Sequence, residues 1–231
     1  MPEFNIRQNV TFASNGREAF GYLRKPAGDL GPGVIVIQEW WGLTDHIADI
    51  TDRFAAEGFV ALAPDLYGGR VAHDAEEAGR LMSGLPVEQA AADLLGSVDA
   101  LLADPDVTSS TVGVVGFCMG GGFVLQLAAL GGDKVGAAVP FYGVGPAVPD
   151  NYRTLSAAVQ GHYGELDTSY PVERAREQER QIRDEGTGPV EFFYYPAGHA
   201  FHNDQRPTAY HRDSAEAAWS RTLDHLRKHL G

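Results

Sequence analysis

One cysteine stands among 231 residues, and its neighbours single it out. The run Val112-Gly113-Val114-Val115-Gly116-Phe117-Cys118-Met119-Gly120-Gly121-Gly122 takes an apolar stretch straight into Gly-x-Cys-x-Gly. That is the form of a nucleophile elbow, a sharp strand-to-helix turn whose flanking glycines remove side chains that would collide with neighbouring backbone. Cysteine suits the place usually held by serine, because a thiolate is the stronger nucleophile and a helix N-terminus stabilises it. A lone cysteine is more often a buried packing residue, but packing alone does not ask for glycine on both sides. A dinucleotide fingerprint fails on spacing, since Gly-x-Gly-x-x-Gly anchored at Gly116 would need glycine where Cys118 stands.

Such a nucleophile needs a base and an acid to orient it, and behind this kind of elbow they follow in the order nucleophile, acid, base. An apolar strand over 157–162 runs into Tyr163-Gly164-Glu165-Leu166-Asp167, and a second over 190–195 runs into Pro196-Ala197-Gly198-His199-Ala200-Phe201. Asp167, preferred to Glu165, is the expected acid and His199 the expected base. His202 and Asp204 lie close by in sequence, yet no His-Glu-x-x-His helix and no cysteine cluster accompany them, so no metal is expected. The other histidines, His46, His73, His211, His225 and His229, fall in predicted helices or polar loops and are expected to be solvated.

Positioning these three residues requires a scaffold, and apolar periodicity supplies one. Two strands over 10–13 and 19–24 flank the turn-prone Ser14-Asn15-Gly16 and form an N-terminal antiparallel hairpin. Further strands are expected over 34–37, 59–63, 111–117 and 135–141, in addition to the two above. Helices are expected over 45–57, 75–82, 87–103, 120–130, 172–185 and 210–230. Strands alternating with helices give right-handed crossovers and a mostly parallel central sheet covered on both faces, an α/β class fold in a single domain spanning 1–231. The three chemical residues would then share the carboxyl edge of the sheet, where open α/β sheets place their sites. The charged run 173–180 mixes signs at helical spacing and reads as a solvated helix face. The Gly- and Pro-rich connection 143–153 is too short for a large cap domain.

Composition narrows the partners. Thirty-one acidic against 18 basic residues leave a net charge of −13, which would repel a phosphate backbone or an anionic bilayer. Nucleic acid and membrane are therefore not expected, and neither a signal-like N-terminus nor an 18-residue apolar run appears. A single thiol fits a reducing compartment, so a cytoplasmic protein is expected, with a monomer as the default.

With elbow, acid and histidine in place, the chain resembles the dienelactone hydrolase family of α/β-hydrolases over nearly its whole length. The marks are Gln38-Glu39-Trp40-Trp41-Gly42-Leu43, Ala63-Pro64-Asp65-Leu66-Tyr67-Gly68, Gly116-Phe117-Cys118-Met119-Gly120-Gly121, Tyr142-Gly143 and Ala197-Gly198-His199-Ala200-Phe201. The resemblance implies an α/β-hydrolase fold and cofactor-free hydrolysis of carboxymethylenebutenolide-type lactones through a Cys-Asp-His triad, here Cys118, Asp167 and His199. It also implies that Glu39 sits beside the nucleophile and governs when the thiol becomes a thiolate. The oxyanion hole of this fold uses the N–H after the nucleophile and one from the loop after the first central strand, hence Met119 and Trp40. Trp41 would wall the pocket. Family members hold the substrate carboxylate with arginines, one of them shortly after the histidine, where this sequence has Asn203. Arg206 is the nearest replacement, with Arg80 or Arg70 from the region after Leu66.

The expected activity is thus hydrolysis of a small lactone or carboxylic ester by an acyl-thioester route. The alternatives are a general small-ester or thioester hydrolase without a preference for acidic lactones, and a non-catalytic binding module on the same fold.

Overall fold

A computed structural model describes residues 7–143, 147–149 and 151–231. Its strands are β1 (Val10–Ser14), β2 (Arg17–Arg24), β3 (Gly31–Ile37), β4 (Val60–Pro64), β5 (Val107–Phe117), β6 (Val135–Phe141), β7 (Ala158–Gly164) and β8 (Val190–Tyr195). The helices are α1 (Asp45–Ala56), α2 (Ala75–Ser83), α3 (Val87–Ala103), α4 (Met119–Gly131), α5 (Val172–Glu185) and α6 (Arg212–Leu230). One eight-stranded sheet runs in the order β1-β2-β4-β3-β5-β6-β7-β8. The β1–β2 and β2–β4 pairs are antiparallel and the rest are parallel. This is the expected mostly parallel sheet with an N-terminal hairpin.

Period-two alternation sends successive side chains to opposite faces of the sheet, and both faces are apolar. Val34, Val36, Ala61, Ala63, Val115 and Phe117 face one layer, where α1 contributes Ile47, Ile50 and Phe54 and α6 contributes Leu223, Leu226 and Leu230. Ile35, Ile37, Val60, Leu62, Val112 and Val114 face the other, under α3 with Leu94, Val98 and Leu101 and α4 with Phe123, Val124 and Leu127. Strands buried on both sides read as continuous apolar runs, as β3 does. Truncating a side chain such as Phe54, which has no exposure, would cost about 3–5 kcal/mol.

The starts of β5 and α6 and the burial of two histidines differ from expectation. β5 starts at Val107 instead of 111 because Val107 pairs with Gly31 ahead of a register shift at Gly33. α6 starts at Arg212, since His211 is extended and its Nδ1 lies 2.8 Å from Ser214 Oγ at the head of the helix. His46 and His225 are buried, not solvated: His46 faces Phe117, and His225 sets Nε2 3.0 Å from the carbonyl of Ala158. In the 143–153 connection, 144–146 and 150 lie outside the described residues. Among the described residues no helix intervenes between β6 and β7.

Candidate active site

β5 ends at Phe117 and α4 begins at Met119, so Cys118 alone makes the turn between strand and helix. Its backbone sits at φ 55°, ψ −116°, a conformation costing a non-glycine residue about 1–3 kcal/mol. Crowding explains the flanking glycines. A Cβ on Gly116 would lie 2.5 Å from the carbonyl oxygen of Gly120, and one on Gly120 would lie 2.5 Å from that of Ile37 and 2.6 Å from that of Gln38. The elbow is therefore pressed onto the end of β3, the strand that leads to Glu39. Cys118 N–H donates to Phe141 O at 3.1 Å, tying the turn to β6 as well. The thiol lies at a cavity of about 360 Å³ that Glu39, Trp40, Trp41, His199 and Arg206 also line.

His199 and Asp167 come from the loops after β8 and β7, neighbouring parallel strands. His199 Nδ1 is 2.7 Å from Asp167 Oδ2. The other carboxylate oxygen, Oδ1, accepts from Ser169 N–H at 2.7 Å and Tyr170 N–H at 2.9 Å, so Asp167 is buried with both oxygens engaged. The Cys118 sulfur also interacts with the imidazole and favours its protonated form. Burial opposes a charge on His199, but hydrogen bonding and attraction from Asp167 and Cys118 outweigh it and push the imidazole up to about 10. Glu165, the rival acid, is exposed and lies 3.8 Å from Arg176.

Glu39 is 2% exposed, and Asn203 Nδ2 donates to its Oε2 at 2.8 Å. Burial raises its pKa, against the lowering effects of the Asn203 bond, His199 and Arg206. Two buried tyrosines act on this cluster from within the core. Tyr142, at φ 38°, packs its ring 5.1 Å from that of His199, and burial, with Glu39 and Cys118 next, keeps its hydroxyl well above the usual phenol range. Tyr67 reaches Met119 Sδ with its hydroxyl at 3.4 Å, and burial followed by Cys118 raises its pKa too. The turn that aims Tyr67 is built by Asp65, whose oxygens accept from Tyr67 N–H at 3.0 Å and Gly69 N–H at 2.8 Å.

Trp40 and Trp41 meet edge to face at 5.0 Å between ring centres, and Arg206 lies over Trp41 at 5.3 Å. Met119 is the first residue of α4, so its N–H has no partner within the helix. Arg80 is not brought here. It ion-pairs with Glu76 at 2.5 Å one turn earlier in α2 and lines a separate depression with Arg70, because the exposed face of α2 turns away from Cys118. His202 is buried and Asp204 turns toward His46 Nδ1 at 3.4 Å. Among the described residues no group of three or more His, Cys, Asp or Glu side chains is placed to hold a metal ion, and no helix is long and apolar enough to cross a membrane.

The pairing of Asn203 with Glu39, and the places of Tyr67, Tyr142, Ser169 and of Met82, which also lines the Cys118 cavity, are not evident in the sequence. Tyr67 and Tyr142 belong to short runs already notable beside Gly68 and Gly143, which is the one signal that pointed at them.

The family described as the Dienelactone hydrolase family matches residues 20–230. Protein usf of Aquifex pyrophilus is 34% identical, over 96% of this chain and 99% of its own. A Yersinia pestis protein named "Putative carboxymethylenebutenolidase" is 37% identical, over 95% and 87%. The crystal structure of a Klebsiella pneumoniae protein described as "Putative Dienelactone Hydrolase" superposes with a TM-score of 0.81 at 31% identity, over 95% of this chain and 99% of that one. With its α/β-hydrolase sheet and its elbow, the chain belongs to the dienelactone hydrolase family and is a hydrolase of the lactone or carboxylic-ester type.

Proposed function

We propose that the protein hydrolyses a small lactone or carboxylic ester through Cys118, His199 and Asp167 by way of an acyl-thioester. Cys118 Sγ attacks the carbonyl carbon, and the C=O electron pair moves onto oxygen. Backbone N–H groups of Met119 and Trp40 stabilise that oxyanion, each such donor being worth about 3–4 kcal/mol of barrier. His199 holds the thiol's proton and delivers it to the leaving alkoxide as the carbon–oxygen bond breaks, leaving Cys118 acylated. A water molecule then gives its proton to His199 and attacks the thioester, and the returning proton restores the thiol as the acid departs. Asp167 keeps the imidazole in the tautomer whose Nε2 faces sulfur. Glu39, held by Asn203, modulates the proton on Cys118, while Trp41 and Arg206 wall the substrate. The reading rests above all on the 2.7 Å contact between His199 and Asp167 beside a cysteine in an elbow.

The test is steady-state hydrolysis of a dienelactone and of a neutral aryl ester by the wild type and by Cys118→Ala. Turnover of the dienelactone with the higher kcat/KM, and none by the variant, is the expected result, and activity surviving in Cys118→Ala would sink the mechanism. Loss of the preference for the acidic lactone in Arg206→Ala, but not in Arg80→Ala, would assign the carboxylate to Arg206. A preference for the neutral ester in the wild type is the second reading. The neutral Asn203 at the position where the family carries an arginine favours it.

A further inference from the structure

Beyond the Cys118 cavity lies a second one of about 430 Å³, and Ser169 lines both. Tyr152, Tyr170, Arg174 and Gln178 form its walls. Its lining mixes polar groups with a larger share of apolar surface. Gln178 accepts from Tyr163 Oη at 2.7 Å and donates to Tyr152 Oη at 3.2 Å, which uses the Tyr152 oxygen as an acceptor and leaves its proton to give. Along α5 the arginines are matched to acids, Arg176 to Glu165, Arg180 to Glu177 and Arg183 to Glu179. Arg174, among the described residues, stands outside that pairing and within electrostatic reach of Tyr170. The one acid of the chamber, Glu177, is taken up by Arg180.

We infer that the two cavities are halves of one cleft, and that the outer half takes an oxygen-substituted aromatic ring carried by the substrate on a linker passing Ser169. The ring follows from the wall: a tyrosine face and a planar guanidinium both favour stacking on an aromatic group. The oxygen follows from Arg174, which lines the chamber outside the ion pairs of α5 and offers N–H groups to an acceptor. The partition is also part of the machinery. Ser169 and Tyr170 give their backbone N–H groups to Asp167, so an occupant of the outer chamber leans on the segment that fixes the acid of the proposed triad. Part of the run 173–180, otherwise a solvated helix face, thereby becomes a specificity wall.

This inference rests on the proposed hydrolysis, and two readouts separate their fates. Calorimetric titration of Cys118→Ala with methyl hydroxyphenylbutanoate and with its cyclohexyl analogue reads the chamber without turnover. The aryl ester is expected to bind about tenfold more tightly, and the advantage to vanish in Cys118→Ala combined with Arg174→Ala or with the chamber-filling Gln181→Trp. Equal binding of the two esters, or an advantage untouched by both second changes, would overturn the inference. In the protein that retains Cys118, the ratio of kcat/KM for the aryl ester to that for methyl butanoate should fall about tenfold with either change, and an unchanged ratio counts against the chamber. Absence of turnover of any ester would refute the hydrolase mechanism and leave the binding measurement to decide the chamber.

Discussion

Asn203 Nδ2 donates to Glu39 Oε2 at 2.8 Å, so the carboxyl group that lines the Cys118 cavity is held by a neutral amide instead of a cation. An amide stabilises the ionised carboxyl less than a guanidinium would, in keeping with a raised pKa whose leading cause is burial. Asn203→Leu removes the partner and leaves a buried acceptor unpaired, at about 1–3 kcal/mol. The expected outcome is a melting temperature lower by about 5 °C, read by scanning calorimetry, with a smaller drop when the same change is made in Glu39→Gln. An equal drop in both backgrounds would show that the pair carries none of the effect.

Asp167 and Glu165 are two residues apart, but one is buried with both oxygens engaged and the other exposed. Asp167→Asn should lower kcat by about 10³–10⁴, because the amide favours the wrong imidazole tautomer. Glu165→Gln should stay close to wild type. Steady-state kinetics of both variants on the same ester decides the assignment, and the reverse pattern would transfer the role to Glu165.

The proton on His199 sets the alkaline side of the pH profile. Its pKa is raised from 6.5 to about 10, so the imidazolium that would protonate the leaving group under the proposed mechanism persists through neutrality and is lost as the pH rises toward 10. A fall in kcat/KM near pH 10 is expected. In Asp167→Asn the limb should move down toward 6.5. By linkage, the stability this group lends is full below pH 6.5 and fades as pH rises through the folded-state value.

Acid acts on other histidines, and with the opposite sign. Burial lowers His46 and His225 to about 4, so each stabilises the fold above pH 6.5 and withdraws that stability as the pH falls toward 4. Each accounts for roughly 2 kcal/mol between pH 7 and pH 5. Chemical denaturation of His46→Phe at the two pH values should show a loss smaller than wild type by about that amount. An identical loss would mean that His46 titrates alike in the folded and unfolded protein.

The sheet and the triad candidates were legible because they depend on local pattern. The run 34–37 is apolar at every position because both faces of β3 are covered, and the glycines around Cys118 answer contacts of 2.5 Å. Asp167 and His199 were found because each follows a strand directly. What escaped notice depends on loop backbone. Tyr142 enters the site through a residue at φ 38° and Asn203 lies beyond Ala200 at φ 60°, and no periodicity encodes such turns. His46 and Arg80 were misplaced for a related reason: which face of α1 or α2 meets the sheet is fixed by packing against neighbours that one helix's sequence does not name.

Among the described residues β8 has a strand neighbour on one side only, and it is the strand that delivers His199. Cys118 by contrast rises from β5, in the middle of the sheet, with β3 and β6 on its flanks. Local opening is least costly at an edge, so the proposed base and the proposed nucleophile have unequal lifetimes under stress. A warmed or mildly denatured sample would stop turning over substrate while its thiol still sat on an intact strand–helix junction. Alkylation would then count intact molecules that no assay registers.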